Sequence, residues 1–288
     1  MGIKKMVWKG FILVGIVALM FQGCKKNEPV SKDKIIGLQL YSLRDDMVND
    51  PKATVAKVGE MGYAFVEAAG YKDGKFYEMS PLEFKKLCED SGLQFLGSHT
   101  GQDVPTEETW DETMAWWDTA IDAHAEAGVK WIVQPSMDEQ GYNSLEGLKQ
   151  YMAYFNEVGK KCKDKGIEFG YHNHEKEFTT EFDGKPLYDY MLELSDPDLV
   201  MFELDLYWIT KGGKDAVAYF EKYPGRFMLW HIKDEMELGE SGEMDFNSIF
   251  KHKKEAGVQY GVVEVERYNF TPIESVKKSF DYIQTTNF

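Results

Sequence analysis

The chain has 288 residues and a formal net charge of −16, from 49 acidic and 33 basic side chains. So acidic a balance argues against a nucleic-acid partner, because binding a phosphate backbone depends on basic surface. Three cysteines are too few for a disulfide framework or a cysteine zinc site.

The first stretch, "MGIKKMVWKGFILVGIVALMFQGC", sets Lys4, Lys5 and Lys9 ahead of an apolar run from Phe11 to Phe21, then Gly23 and Cys24. That is the organisation of a secretory signal, and the run is short for a membrane span. A cysteine directly after the run resembles a bacterial lipoprotein signal. The resemblance implies lipid on Cys24 and an exported protein, anchored by that lipid at a periplasmic or cell-surface site. The polar "KKNEPVSKDK" that follows reads as a tether. The expected organisation is a signal at 1–23, a tether at 24–34 and one domain at 35–288. Without residues 1–23, which hold three lysines and no acid, 265 residues remain at a charge of −19. That length suits one α/β barrel. Cys88 and Cys162 fall inside helical stretches and read as buried thiols.

From Ile35 onward short β-rich runs alternate with longer amphipathic ones. The strand candidates are "IIGLQLYSL", "AFVEAAG", "QFLGSHT", "KWIVQPS", "EFGYHNH", "LVMFELDL", "FMLWHIKD" and "YGVVEVER". Helical stretches lie between them, opened by Ser80-Pro81 and Thr271-Pro272 and closed by Gly62, Gly92, Gly128, Gly166 and Gly257. Eight repeats of strand, loop, helix and glycine predict a (β/α)8 TIM barrel rather than an open sheet. His124 and His252 fall in helices and are expected at the surface.

Barrel strands alternate between helix-facing apolar residues and interior ones. Strand 5 sets Phe169 and Tyr171 against His172 and His174. Strand 6 sets Phe202, Leu204 and Leu206 against Glu203 and Asp205. Strand 7 sets Trp230 and Ile232 against His231 and Lys233, and strand 8 sets Val263 and Val265 against Glu264 and Glu266. Gln39, Glu67, His99 and Gln134 take the inward parity on strands 1 to 4. Neighbouring strands lie ~4.8 Å apart, so these groups converge on one mouth. Several carboxylates gathered there repel one another unless a cation neutralises them. A set of Asp, Glu and His without thiolate suits Mn²⁺, Mg²⁺, Co²⁺ or Zn²⁺. A metal-free acid/base site of paired carboxylates is the alternative.

"GLQLYSLRDD", "YHNHEKEF", "ELDLYW", "LWHIKD", "MDF" and "VVEVERY", in that order, resemble the xylose isomerase-like TIM-barrel superfamily of sugar phosphate isomerases/epimerases. The resemblance spans nearly the whole chain after the tether. It implies Asp205, His231 and Glu264 as metal ligands, with Glu177 as the strand 5 ligand and His174 as its competitor; Glu266 competes with Glu264. It implies a small-molecule sugar substrate and a divalent metal cofactor. Many relatives carry a histidine three residues after the strand 6 aspartate, where this chain has Trp208.

A metal-polarised sugar carbonyl acidifies the adjacent C–H, so that a base can form an enediolate. Glu177 and Glu264 are the candidate bases, and His174, His99 or Lys233 the proton donors. Gln39, Glu67, His99, His172, Trp208 and Arg267 are candidate substrate contacts, with Lys233 and Arg267 able to hold oxygens or a phosphate. Tyr41, Trp208 and Tyr268 could stack on a sugar ring. The expected activity is isomerase or epimerase. The alternatives are a dehydratase or lyase on a keto-sugar, inosose or 3-keto-glycoside, and a non-catalytic sugar-binding lipoprotein.

Overall fold

Eight parallel strands close into a barrel: β1 (Ile36–Gln39), β2 (Phe65–Ala68), β3 (Gln94–His99), β4 (Trp131–Gln134), β5 (Glu168–His172), β6 (Val200–Asp205), β7 (Leu229–Lys233) and β8 (Tyr260–Glu264). Each pairs with its sequence neighbours, and β1 with β8 completes the ring. This computed structural model describes residues 1–2 and 36–288. The signal, Cys24 and the tether lie outside the described residues.

The punctuation of the sequence does the expected work. Ser80 and Glu83 form a reciprocal capping box at the start of helix Pro81–Asp90, and Thr271 caps helix Pro272–Thr285. Gly128, at φ 74°, ends helix Trp110–Ala127 in the left-handed conformation and delivers the chain to β4. Three features were not legible. β1 stops at Gln39, whose side chain accepts from Tyr41 N and starts a short 3₁₀ turn, Leu40–Leu43. Helix Leu187–Leu194 precedes β6. Small hairpins, Tyr71–Lys72 with Lys75–Phe76 and Glu181–Phe182 with Lys185–Pro186, lie in the loops after β2 and β5.

The strand alternation separates two apolar regions. Ile132, Phe169, Phe202, Leu204, Trp230 and Val263 pack in the layer shared with the helices. Phe65, Leu96, Trp131, Val133, Met201, Leu229 and Val262 form a second cluster that fills the lower barrel interior. Two residues further along their own strands come Glu67, Glu203, His231 and Glu264, which the stagger between strands sets at different heights. A register shift between β2 and β3 lets Leu96 and His99 both face inward. Gln134 departs from the expected parity: Val133 takes the interior position, while Gln134 turns to Gln102 N and Ser136 O.

His124 also departs from expectation, being fully buried rather than at the surface. Its Nδ1–H donates to Ala120 O at 2.6 Å, and Ser98 Oγ lies 2.5 Å from Nε2, tying the helix to β3. His252 is a surface residue beside Glu255.

Candidate active site

The C-terminal ends of β5 to β8 bring His172, Asp205, His231 and Glu264 together, one donor atom from each lying within 4.8 Å of the others. All four are buried. Asn173 sets the depth of Asp205: its side chain accepts from Asp205 N at 3.0 Å and donates to Asp205 O at 3.4 Å. Asp205 Oδ1 caps the next helix by accepting from Trp208 N at 2.8 Å, which leaves Oδ2 for the site.

Four buried atoms in this group have no hydrogen-bond partner: Nδ1 and Nε2 of His172, Oδ2 of Asp205 and Nδ1 of His231. Orphaned buried polar atoms are costly. Two imidazoles and two carboxylates with free lone pairs at such spacing form a cluster able to hold a divalent cation.

The electrostatics are uneven. Burial pushes Asp205 up to about 7, against the pull of Lys233 and His231. Burial, helped by the neighbouring imidazoles, holds His172 well below the usual imidazole range. Glu264 lies well below the carboxylate range despite its burial, because Lys233 and His231 stand beside it. Lys233 Nζ sits 3.0 Å from Glu264 and 2.5 Å from Glu266; despite burial, the surrounding carboxylates raise its pKa and keep it an ammonium.

A cavity of about 340 Å³ opens above the group, lined by Tyr41, His99, His172, His174, Glu264 and Glu266 among others. Burial brings His174 down to about 4, so it is a neutral imidazole at pH 7. A larger groove of about 670 Å³, between Val104–Asp111 and helix Leu145–Asp164, contains no histidine and lies apart from the group.

Several candidates lie elsewhere. Glu177 is buried, but its carboxylate accepts from Tyr171 OH at 2.5 Å, Tyr142 OH at 2.8 Å and His174 N at 2.9 Å. It is not among the four grouped residues, and His172 occupies the strand 5 place. Gln39 and Glu67 are fully buried beneath the cavity and hydrogen-bonded to each other at 2.8 Å. Arg267 is exposed and lies 3.7 Å from Glu235. Tyr268 donates to Ser42 O and accepts from Arg44. Trp208 stands beside His174 and under the Lys233 ammonium, 5.1 Å from Nζ.

A model of the xylose isomerase-like TIM barrel family matches residues 55–286. The chain belongs to that family. A solved structure of a sugar phosphate isomerase/epimerase from Parabacteroides distasonis is 34% identical, with a TM-score of 0.82 over 88% of this chain and 99% of that one. The 3-keto-D-glucoside 4-epimerase of E. coli, at 18% identity and a TM-score of 0.66 over 88% of this chain and 99% of that one, shares the fold. In sequence, the inosose dehydratase of Clostridium beijerinckii is 25% identical over 66% of this chain and 67% of its own length. The match to the inosose dehydratase of Clostridium tetani, at 28% identity over 43% of this chain, spans 39% of that relative's length. Within the family frame, the strand parity had already marked His172 as inward-facing. What sequence reasoning missed is the Asn173 clamp on Asp205, whose signal is an amide directly after the strand.

Proposed function

We propose that this chain is an exported, divalent-metal-dependent isomerase or epimerase acting on an unphosphorylated sugar through an enediolate. The observation that carries the reading is the His172, Asp205, His231 and Glu264 group, with four orphaned buried atoms beneath a cavity that holds further acid/base groups. A divalent ion there would supply Lewis-acid polarisation of a sugar carbonyl. The chain's own groups then handle the proton. Glu264 and Glu266 approach from β8, and the neutral His174 from the loop after β5, with two strands, β6 and β7, between them around the barrel. A base on one side takes the proton from carbon, and a base on the other returns it, inverting the centre or moving the carbonyl. The Lys233 ammonium, held between Glu264 and Glu266, keeps those carboxylates in place and Glu264 charged.

The placing of the cations supports the reading of an unphosphorylated sugar. No lysine or arginine lines the cavity among the described residues, Lys233 is already held by two carboxylates, and Arg267 points to Glu235.

A dehydratase is the second reading, favoured by the inosose dehydratase relatives. There the same enediolate expels a hydroxyl one carbon further along, and His174 would serve as the proton relay. Incubation of metal-loaded protein with ketoses, inososes and 3-keto-glycosides in D₂O tests both. Deuterium at carbon without elimination supports the isomerase reading, and loss of water or aglycone the second. No exchange and no turnover across the panel would sink both.

A further inference from the structure

Beneath the metal-type group lies a second polar group that the proton chemistry does not use. Glu67 on β2 and Glu203 on β6 are fully buried. Their carboxylates converge on one atom: His231 Nε2 is 3.1 Å from Glu67 Oε1 and 3.2 Å from Glu203 Oε2. Glu67 is itself held on both oxygens. Gln39 Nε2 donates to Oε1 at 2.8 Å, and Trp131 Nε1 donates to Oε2 at 2.5 Å. Gly97 makes room for that indole, since a Cβ there would stand 1.9 Å from Trp131 Nε1. His99 Nε2 lies 2.7 Å from Glu203 and 3.2 Å from Glu67, and its ring stacks on that of His231 at 5.1 Å.

Two carboxylates side by side in a barrel core are tolerable only with hydrogen-bond donors between them. The Nε2 atoms of His99 and His231 fill that place, so His231 carries a proton on Nε2. Its Nδ1 has no hydrogen-bond partner and faces the other group, 3.4 Å from Glu264 and 4.0 Å from Asp205. We infer that Glu67 and Glu203 are positioning residues that lock the tautomer and ring orientation of His231, leaving Nδ1 free as a metal ligand. A carboxylate on the far nitrogen of a ligating histidine fixes its orientation and raises its basicity. Here two carboxylates share that task, and Gln39 and Trp131 fix Glu67 in turn. The inference rests on the metal site proposed above.

The first test reads the wild-type site directly. In zinc-loaded, ¹⁵N-labelled full chain, long-range ¹H–¹⁵N spectra report the protonation of each imidazole nitrogen, with His231→Gln as the assignment control. A proton on Nε2 and none on Nδ1 is expected. The opposite tautomer overturns the inference, as does an Nε2 without a proton, which would mean a second ion bound by Glu67, His99, Glu203 and His231. The second test titrates metal-free protein with Co²⁺, read by visible absorption. Glu67→Gln and Glu203→Gln should each weaken binding by roughly 10–100-fold while their thermal midpoints show a folded barrel. Wild type that binds one ion, with affinity unchanged in both variants, overturns the positioning role alone. Wild type that binds no divalent ion removes the metal site as well.

Discussion

His172 Nε2 lies 3.4 Å from Asp205 Oδ2, both atoms are buried, and neither has a hydrogen-bond partner. A neutral imidazole beside a carboxylate raised to about 7 is a poor pairing by itself and a good one around a cation. Asp205→Asn keeps the shape and removes the charge. Bound metal per chain should fall steeply and activity by orders of magnitude, with the fold intact. Glu203→Gln, one pleat deeper, should cost less metal than Asp205→Asn. Metal analysis and thermal midpoints of both variants check this, and the idea is lost if Asp205→Asn retains full occupancy.

The donor set also bears on which ion is held. Two imidazoles with two carboxylates shift preference from Mg²⁺ toward Co²⁺ and Zn²⁺ relative to an all-carboxylate site. Competition dialysis should leave Co²⁺ or Zn²⁺ on the protein in the presence of excess Mg²⁺. Retention of Mg²⁺ instead would mean that His172 is not a ligand.

Glu177 offers a contrast. Its carboxylate accepts from two tyrosine hydroxyls and from His174 N, so it ties down the loop that carries His174. Glu177→Gln should leave metal content unchanged, lower stability by about 1–3 kcal/mol through a broken buried network, and slow turnover by displacing His174. A large loss of bound metal would restore Glu177 as a ligand.

The barrel was legible because each unit repeated the same punctuation, and strand parity carried Asp205, His231 and Glu264 to one mouth. It could not rank depth. Glu67 and Glu203 share the inward parity of Glu264, but strand stagger sets them beneath His231 rather than beside a substrate. Glu177 looked like a ligand because it follows β5 closely. Only the turn of Asn173 and His174 shows its carboxylate directed at Tyr171 and Tyr142. His124 looked superficial because helical periodicity does not reveal that Ser98, on a strand 26 residues earlier, waits for its Nε2.

The address of the protein is a separate proposal, resting on the lysines, the apolar run and the Gly23-Cys24 junction. Cys24→Ser should move the protein from the membrane fraction to the soluble one, or block its maturation. Metabolic labelling with a fatty acid should mark wild type alone. Soluble, unlabelled wild type that begins at Met1 would refute the proposed anchor.

His124 gives the domain an acid sensitivity independent of the group formed by His172, Asp205, His231 and Glu264. Both ring nitrogens are engaged in the neutral form, Nδ1–H with Ala120 O and Nε2 with the Ser98 hydroxyl. Burial lowers its pKa from 6.5 to about 4. As pH falls below 6.5 the unfolded chain takes up a proton that the folded domain refuses until about 4. Stability from this residue is therefore present above 6.5 and is lost progressively down to about 4, amounting to at most about 3 kcal/mol. His124→Gln lacks the titration. It should be less stable than wild type at pH 7.5, because one buried hydrogen bond is replaced imperfectly, and the gap should narrow as pH is lowered through this window. Urea denaturation of both proteins at four pH values between 7.5 and 4 measures the gap directly, and a gap that stays constant would remove His124 as its cause.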